Sequence, residues 1–182
     1  MDSLKFLAVI PARYVSTRFP GKPLARLGGE PVIRYVWKQV TQVFADAAVA
    51  TDDPRIYDAV EAFGGRAVMT SPDHRSGTDR CREAVDKLGG DPDVIVNVQG
   101  DEPFIAPSQL QAIARCFDDP STDIATLVKP FTEADGLAAL ENPNSPKVVL
   151  DAQSRAIYFS RSVIPYLRGV PCEEWLARHT FY

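Results

Sequence analysis

The chain has 182 residues, of which 45% are hydrophobic and 24% are charged, and its net charge is −4. These values are typical of a globular domain with a sizeable core, and the negative balance gives no basic field that would attract nucleic acid. The three cysteines, an odd number without Cys-x-x-Cys spacing, indicate reduced thiols. The first apolar run, residues 6–10, is too short for a signal or membrane segment, so we expect a cytoplasmic protein with no membrane partner.

The hydrophobic pattern predicts strands and helices that alternate along most of the chain. Strands are expected at residues 6–10, 47–50, 66–69, 94–98 and 124–128, and helices at residues 32–43, 54–63, 78–88 and 107–117. Such alternation predicts an α/β fold, with a mostly parallel sheet covered by helices on both faces. The β-branched run at 94–98 is expected to be a central strand of that sheet.

The pattern changes from residue 147 onward. Residues 147–150 and 156–159 flank a polar stretch, which predicts a hairpin in the C-terminal region. We expect residues 1–182 to form a single domain. The last five residues are rich in aromatic side chains and carry no polar tail, so we expect a domain that lacks its C-terminal portion.

The most informative stretch is residues 11–24, which read Pro-Ala-Arg-Tyr-Val-Ser-Thr-Arg-Phe-Pro-Gly-Lys-Pro-Leu and directly follow the first strand. A cationic loop at the carboxyl end of a first parallel strand is where α/β proteins bind anionic ligands. Arg13 and Arg18 can each bind two phosphate oxygens, and Lys22 supplies a point charge. Gly21 is expected to let the backbone approach closely and to donate its amide. We predict a phosphate-binding loop, and the alternative is a solvated basic loop.

A second motif, Asn-Val-Gln-Gly-Asp-Glu-Pro at residues 97–103, follows the strand predicted at 94–98. An acidic side chain at that position projects into the crevice where ligands bind. Magnesium needs only one or two carboxylates when phosphate oxygens complete its coordination. Asp101 is therefore the predicted Mg²⁺ ligand, with Glu102 a weaker candidate. The alternative is a solvated turn, since Gly, Asp and Pro are all turn residues.

Two further segments carry candidate binding residues. The polar stretch His-Arg-Ser-Gly-Thr-Asp-Arg, residues 74–80, enters a predicted helix whose N-terminus offers free amides, although Ser76 or Thr78 could simply cap that helix. Arg161 follows the second strand of the predicted hairpin and could bind a carboxylate-bearing substrate. A lone arginine is more often a surface residue or the partner of an ion pair.

Together these motifs resemble the CMP-KDO synthetase family, the 3-deoxy-manno-octulosonate cytidylyltransferases, across nearly the whole chain. The matching stretches are residues 9–24, 50–52, 74–80, 94–103, 147–151 and 158–165. The resemblance implies a Rossmann-like nucleotidyltransferase fold and a homodimer. It also implies a Mg²⁺-dependent reaction in which CTP and KDO (3-deoxy-manno-octulosonate) give CMP-KDO and pyrophosphate, for lipopolysaccharide synthesis.

The resemblance also implies roles for individual residues. The residues that would bind the nucleotide are Arg13, Ser16, Arg18, Gly21, Lys22, Ser76, Gly77 and Arg80. Among them, Arg13 and Lys22 would grip the triphosphate and act in catalysis together with Asp101, which would hold Mg²⁺. Gln99 and Arg161 would bind the sugar acid. No protein nucleophile is needed, because positioning and charge carry this chemistry.

Two alternatives remain from the sequence. CMP-sialic acid synthetases share the fold and the nucleotide, but their first loop is a glycine- and serine-rich variant with Lys-Asn after the last turn. Tyr14-Val15 and the Gly-Lys-Pro-Leu at residues 21–24 favour the KDO family instead. The other alternative is a non-catalytic nucleotide-binding module, because the family's second metal carboxylate would lie beyond the position of Tyr182.

Overall fold

The structure, a computed structural model, describes residues 4–15 and 19–182. The chain divides into two compact units, Met1–Ala125 and Thr126–Tyr182, and each is described by itself. The single domain expected from the sequence stays a prediction. Within the described residues, no helix combines the length and the apolar character needed to cross a membrane.

The first unit alternates strands and helices. Its strands are β1 (Phe6–Ala12), β2 (Arg26–Leu27), β3 (Glu30–Pro31), β4 (Ala47–Thr51), β5 (Ala67–Met69) and β6 (Val94–Asn97). Its helices are α1 (Val32–Val40), α2 (Pro54–Ala62), α3 (Gly77–Leu88) and α4 (Pro107–Cys116), with a 3-10 helix at Lys22–Leu24. The strands and helices predicted between residues 6 and 117 are present, with shifts at their ends.

Four of these strands form a parallel sheet in the order β5-β4-β1-β6. Successive side chains of β1 point to opposite faces, as the pleat requires. Ala8 and Ile10 belong to a core that also contains buried residues of α1, α2 and α4, whereas Leu7 and Val9 belong to a core with buried residues of α3. The predicted α/β architecture, with helices on both faces of the sheet, is confirmed.

Two strand predictions were wrong. The strand at 94–98 was expected to be central, but β6 lies at an edge of the sheet, and Ile95 is 45% exposed. The fully buried strand is β4, which lies inside the sheet between β1 and β5. Residues 124–128 form no strand although they are rich in apolar side chains. A strand needs a neighbour that accepts its backbone hydrogen bonds, and none of the described residues pairs with this segment in a sheet.

The second unit contains a hairpin and short helices. Its elements are α5 (Gly136–Glu141), β7 (Lys147–Leu150), β8 (Ala156–Ser160), a 3-10 helix at Cys172–Glu174 and α6 (Trp175–Arg178). Strands β7 and β8 pair antiparallel, so the predicted hairpin is confirmed. The carboxylate of Asp151 accepts hydrogen bonds from the backbone N–H groups of Gln153 and Arg155 at 2.9 and 2.8 Å, which fixes the turn. Leu140, Trp175 and Phe181 form the buried core of this unit.

Candidate active site

A cleft of about 250 Å³ opens at the carboxyl ends of β1 and β6 in the first unit. Three separate parts of the chain meet there: the loop after β1, the start of α3 and the turn after β6. The lining residues are Pro11, Ala12, Arg13, Lys22, Pro23, His74, Arg75, Ser76, Gly77, Arg80, Gln99, Gly100 and Asp101. The structure therefore brings together seven of the predicted site residues, although their binding roles stay predictions.

Two charged residues that line this cleft, Lys22 and Asp101, form an ion pair. Lys22 Nζ lies 2.7 Å from Asp101 Oδ2. The pairing follows from topology, because β1 and β6 are parallel neighbours and the segments that leave them emerge at the same sheet edge. Both side chains are almost half exposed, at 40% and 48%, so both are open to a ligand that enters the cleft.

Gly100 lets the turn after β6 pass close to β1. A Cβ atom on this residue would lie 2.8 Å from the carbonyl oxygen of Pro11 and 3.2 Å from Cβ of Ala12. Both neighbours belong to the backbone or to its first side-chain atom, so they cannot rotate away. From the sequence, this glycine was expected only as a turn residue. The available signal is a glycine at the end of a strand run, since a strand glycine often marks the close approach of another backbone.

The start of α3 forms the opposite wall. Ser76 is its N-cap: Ser76 Oγ accepts a hydrogen bond from the Asp79 N–H at 3.1 Å and donates one to Asp79 Oδ2 at 2.7 Å. The capping interpretation of Ser76 is thus confirmed, and its contact with a nucleotide stays a prediction. Gly77 begins the helix and also lines the cleft.

Arg80 lies in the wall of the cleft but is only 3% exposed. Its guanidinium donates to Thr70 Oγ1 at 2.5 Å and to Asp52 Oδ2 at 3.0 Å. These two partners follow β5 and β4, so Arg80 ties α3 to the carboxyl ends of both strands. Because the Arg80 side chain is buried and held by two partners, it forms part of the cleft wall, and its positive charge lies just behind the cleft surface. No sequence pattern indicated this burial.

His74 is held by the carboxylate of Glu83, which was not among the predicted site residues. Glu83 of α3 contacts His74 Nε2 through Oε2, which also accepts the Ser71 N–H at 2.8 Å. Its other oxygen lies 2.7 Å from Lys87 Nζ. Lys87, then the Ser71 amide, then His74 lower the pKa of Glu83 from 4.5 to about 2. The ionised carboxylate therefore fixes the loop that carries His74 to the cleft.

Several predicted site residues have a different setting from the one expected. Gly21 has the positive φ of 70° that favours glycine, but its N–H donates to the Tyr14 carbonyl oxygen at 2.7 Å. This hydrogen bond uses the amide proton within the loop, and the nucleotide-binding role of Gly21 stays a prediction. Ser16 and Arg18 lie outside the described residues. Arg161 belongs to the second unit, where it donates to the Pro143 carbonyl oxygen at 2.8 Å.

Gln99 and Asp101 complete the side of the cleft formed by the turn after β6. Gln99 Nε2 donates to Asn97 Oδ1 at 3.2 Å, which directs the amide along the exposed strand end. Over residues 4–15 and 19–182, no group of three or more His, Cys, Asp or Glu side chains is arranged to hold a metal ion. A half-exposed carboxylate beside a cationic loop nevertheless suits Mg²⁺, which takes one or two carboxylates and completes its shell with water and phosphate oxygens.

A parallel sheet with a cationic cleft and a carboxylate at its carboxyl edge is the arrangement of an α/β nucleotide-binding protein. The family model described as cytidylyltransferase matches residues 7–182. A 3-deoxy-manno-octulosonate cytidylyltransferase of Bacteroides thetaiotaomicron is 64% identical over 179 residues, which cover 98% of this chain and 72% of that protein. A protein of the same name from Porphyromonas gingivalis is 54% identical, with 97% of this chain and 69% of that protein covered.

A solved structure agrees with these sequence relationships. The structure of CMP:2-keto-3-deoxy-manno-octonic acid synthetase complexed with CTP superimposes with a TM-score of 0.86 at 42% identity. The match covers 97% of this chain and 70% of that one. The chain belongs to the cytidylyltransferase family and, within it, to the 3-deoxy-manno-octulosonate cytidylyltransferases.

Proposed function

We propose that this chain transfers the cytidylyl group of CTP to KDO and releases pyrophosphate. The observation that carries the proposal is the meeting of Arg13, Lys22 and Asp101 in one cleft at the carboxyl edge of the sheet. Cations and a carboxylate at one point suit a magnesium nucleoside triphosphate. We assign the nucleotide as CTP and the acceptor as KDO from the names of the relatives and from the CTP complex of the similar structure.

In the proposed reaction the 2-hydroxyl oxygen of KDO forms a bond to the α-phosphorus of CTP. The bond from that phosphorus to the bridging oxygen breaks, and pyrophosphate leaves with the electron pair, while the hydroxyl proton passes to water. Arg13 and Lys22 offset the phosphate charge and hold the chain of phosphates in line. Ser76, Gly77 and Arg80 would contact the cytidine part of CTP. Gln99 and Arg161 would bind the sugar acid.

Asp101 would hold Mg²⁺ in this reaction, with Glu102 as a weaker candidate. The bound ion would supply charge neutralisation at the phosphate oxygens. Asp101 fits this role because its carboxylate lines the cleft and is half exposed. Lys22, which is paired with Asp101 in the structure, would then direct its ammonium group to a phosphate oxygen.

We also propose a homodimer that works in the cytoplasm and supplies lipopolysaccharide synthesis. Exposed apolar side chains on both faces of β8 support association with another chain: Ile157 and Phe159 on one face and Tyr158 on the other are each more than half exposed. Sedimentation analysis tests the dimer, and a purely monomeric chain at micromolar concentration would contradict it.

The three cysteines are free, as expected in a reducing compartment.

The decisive experiment measures pyrophosphate release from CTP and Mg²⁺, with KDO and with sialic acid in separate reactions. Release with KDO and none with sialic acid supports the proposal. Release only with sialic acid would assign the chain to the other sugar acid. CTP binding without release in either reaction would favour a non-catalytic module. Omission of Mg²⁺ in the KDO reaction tests the metal, and an undiminished rate would contradict the role of Asp101.

A further inference from the structure

Tyr14 and Arg55 form a close stack beside the cationic loop, although neither lines the cleft. The guanidinium carbon of Arg55 lies 3.4 Å from the centroid of the Tyr14 ring. A guanidinium that lies over an aromatic face is attracted by the ring's quadrupole and makes broad van der Waals contact with it. The stack connects the first residues after β1 to the start of α2.

The arginine side of the stack is fixed by Asp53. Arg55 Nε donates to Asp53 Oδ1 at 2.9 Å, and its terminal nitrogen lies 2.6 Å from Oδ2, which makes a two-point contact. Asp53 also caps α2 by accepting the Arg55 N–H at 2.9 Å. These contacts lower the pKa of Asp53 and raise that of Arg55, so both groups stay charged. The guanidinium is thus held at one place although it is largely exposed.

The tyrosine side of the stack reaches Lys22 through Gly21. The Tyr14 carbonyl oxygen accepts the Gly21 N–H at 2.7 Å, and a Cβ on Gly21 would lie 2.9 Å from the Tyr14 ring. The Gly21 carbonyl oxygen in turn accepts the N–H groups of Leu24, the last residue of the 3-10 helix that contains Lys22, and of Ala25, which follows that helix. The ring therefore packs against the residue that directly precedes the catalytic cation.

We infer that Tyr14 and Arg55 are positioning residues that fix the place of Lys22 for the triphosphate of CTP. The inference rests on the proposed function. Arg55 holds the ring from one side, Gly21 closes against it from the other, and Lys22 continues from Gly21 into the cleft. Neither residue has to touch the nucleotide, so the effect of replacing either one passes through Lys22.

The test measures the Kd for CTP with Mg²⁺, together with KM and kcat for pyrophosphate release, for the full chain. We expect Tyr14→Leu and Arg55→Ala each to weaken CTP binding about five- to tenfold. Tyr14→Phe keeps the ring and should therefore retain the affinity for CTP. If the hydroxyl group were responsible instead, Tyr14→Phe would weaken CTP binding as much as Tyr14→Leu. Arg66→Ala is the matched control: Arg66 is also an exposed arginine in an ion pair, but it precedes β5 at the amino end of the sheet.

The background of Lys22→Met separates positioning from other roles. In that background, adding Tyr14→Leu or Arg55→Ala should change the Kd less than twofold, because the cation that they position is gone. An undiminished further loss would overturn the inference, since the two residues would then act directly or through general stability. Unchanged affinity in both single variants would also overturn it.

The same measurements distinguish this inference from the proposed function. If the unsubstituted chain binds CTP but releases no pyrophosphate with KDO, the proposed function fails, while the Kd series still supports or overturns the positioning role. If turnover is normal and the two variants bind CTP like the unsubstituted chain, only the inference fails. Absence of CTP binding by the unsubstituted chain overturns both.

Discussion

Lys22 and Asp101 stand 79 positions apart in the chain, and their side chains meet at 2.7 Å across the mouth of the cleft. An ion pair with this degree of exposure contributes about 0–1 kcal/mol to stability, because water already solvates both charges well. The fold therefore gains little from the pair. Its position matters for a ligand that carries both phosphate and a metal ion. Lys22 can then pair with the phosphate and Asp101 with the metal ion, in place of each other.

The first prediction concerns Asp101→Asn. We expect pyrophosphate release to fall by about a hundredfold or more, because loss of a metal carboxylate removes charge stabilisation worth several kcal/mol. The free energy of unfolding should change by less than about 1 kcal/mol. A pyrophosphate assay and urea unfolding measure the two effects. Asp86→Asn, which removes a carboxylate paired with Arg82 on the exposed side of α3, should keep the activity. Full activity of Asp101→Asn would refute the metal assignment.

The convergence of the loop after β1 with the turn after β6 could be predicted from the sequence. Parallel strands bring their carboxyl ends to one edge, so a cationic loop after one strand and an acidic turn after another are expected to meet. The order of the strands could not be predicted. The run Val-Ile-Val-Asn of β6 is apolar enough for a central strand, but alternate residues face solvent, and that depends on which strands pair with it.

The supporting contacts of the site were also beyond the sequence. The burial of Arg80 depends on Asp52 and Thr70, which come from two other strand ends. The contact of Glu83 with His74 depends on how the loop before α3 folds back along that helix. Side chains that meet through tertiary packing leave no periodic pattern, whereas caps and turn residues act within a few positions and could be read directly.

The second prediction compares two arginines of one helix. Arg80→Met should lower the free energy of unfolding by about 3–5 kcal/mol, because it leaves the partly buried carboxylate of Asp52 without its counter-ion. Arg82→Met removes an arginine that is 77% exposed and should change stability by less than about 1 kcal/mol. Urea unfolding of both variants provides the measurement. An equal decrease in the free energy of unfolding for both variants would show that the buried ion pair stabilises the chain no more than the exposed one does.

The third prediction compares two glycines at the cleft. Gly100→Ala should destabilise the chain by about 1–3 kcal/mol, because the new methyl group would overlap the Pro11 carbonyl oxygen and force the turn after β6 away from β1. Gly77→Ala places its methyl group at an ordinary 3.4 Å from Pro11 Cγ, so stability should be retained. Thermal unfolding of the two variants measures the difference. Equal stability of both would contradict the close approach at Gly100.

The fourth prediction concerns the pH dependence of stability through Glu83. Its pKa is lowered from 4.5 to about 2 in the folded chain, chiefly by Lys87, so the unfolded state binds more protons between these values. The stability that Glu83 contributes is therefore fully present above pH 4.5 and is lost as the pH falls toward 2. We expect Glu83→Gln to be less stable than the unsubstituted chain at neutral pH and to lose less stability across this window.

A second variant makes the cause of this pH dependence testable. Lys87→Met removes the largest influence on the Glu83 pKa but leaves the Ser71 amide and His74 in contact with the carboxylate. The pKa should then rise toward its ordinary value, and the loss of stability between pH 4.5 and 2 should shrink without vanishing. Urea unfolding at several pH values in this range gives the slopes. If the slopes of both variants match that of the unsubstituted chain, the carboxylate does not hold the loop before α3 in the way that its contacts indicate.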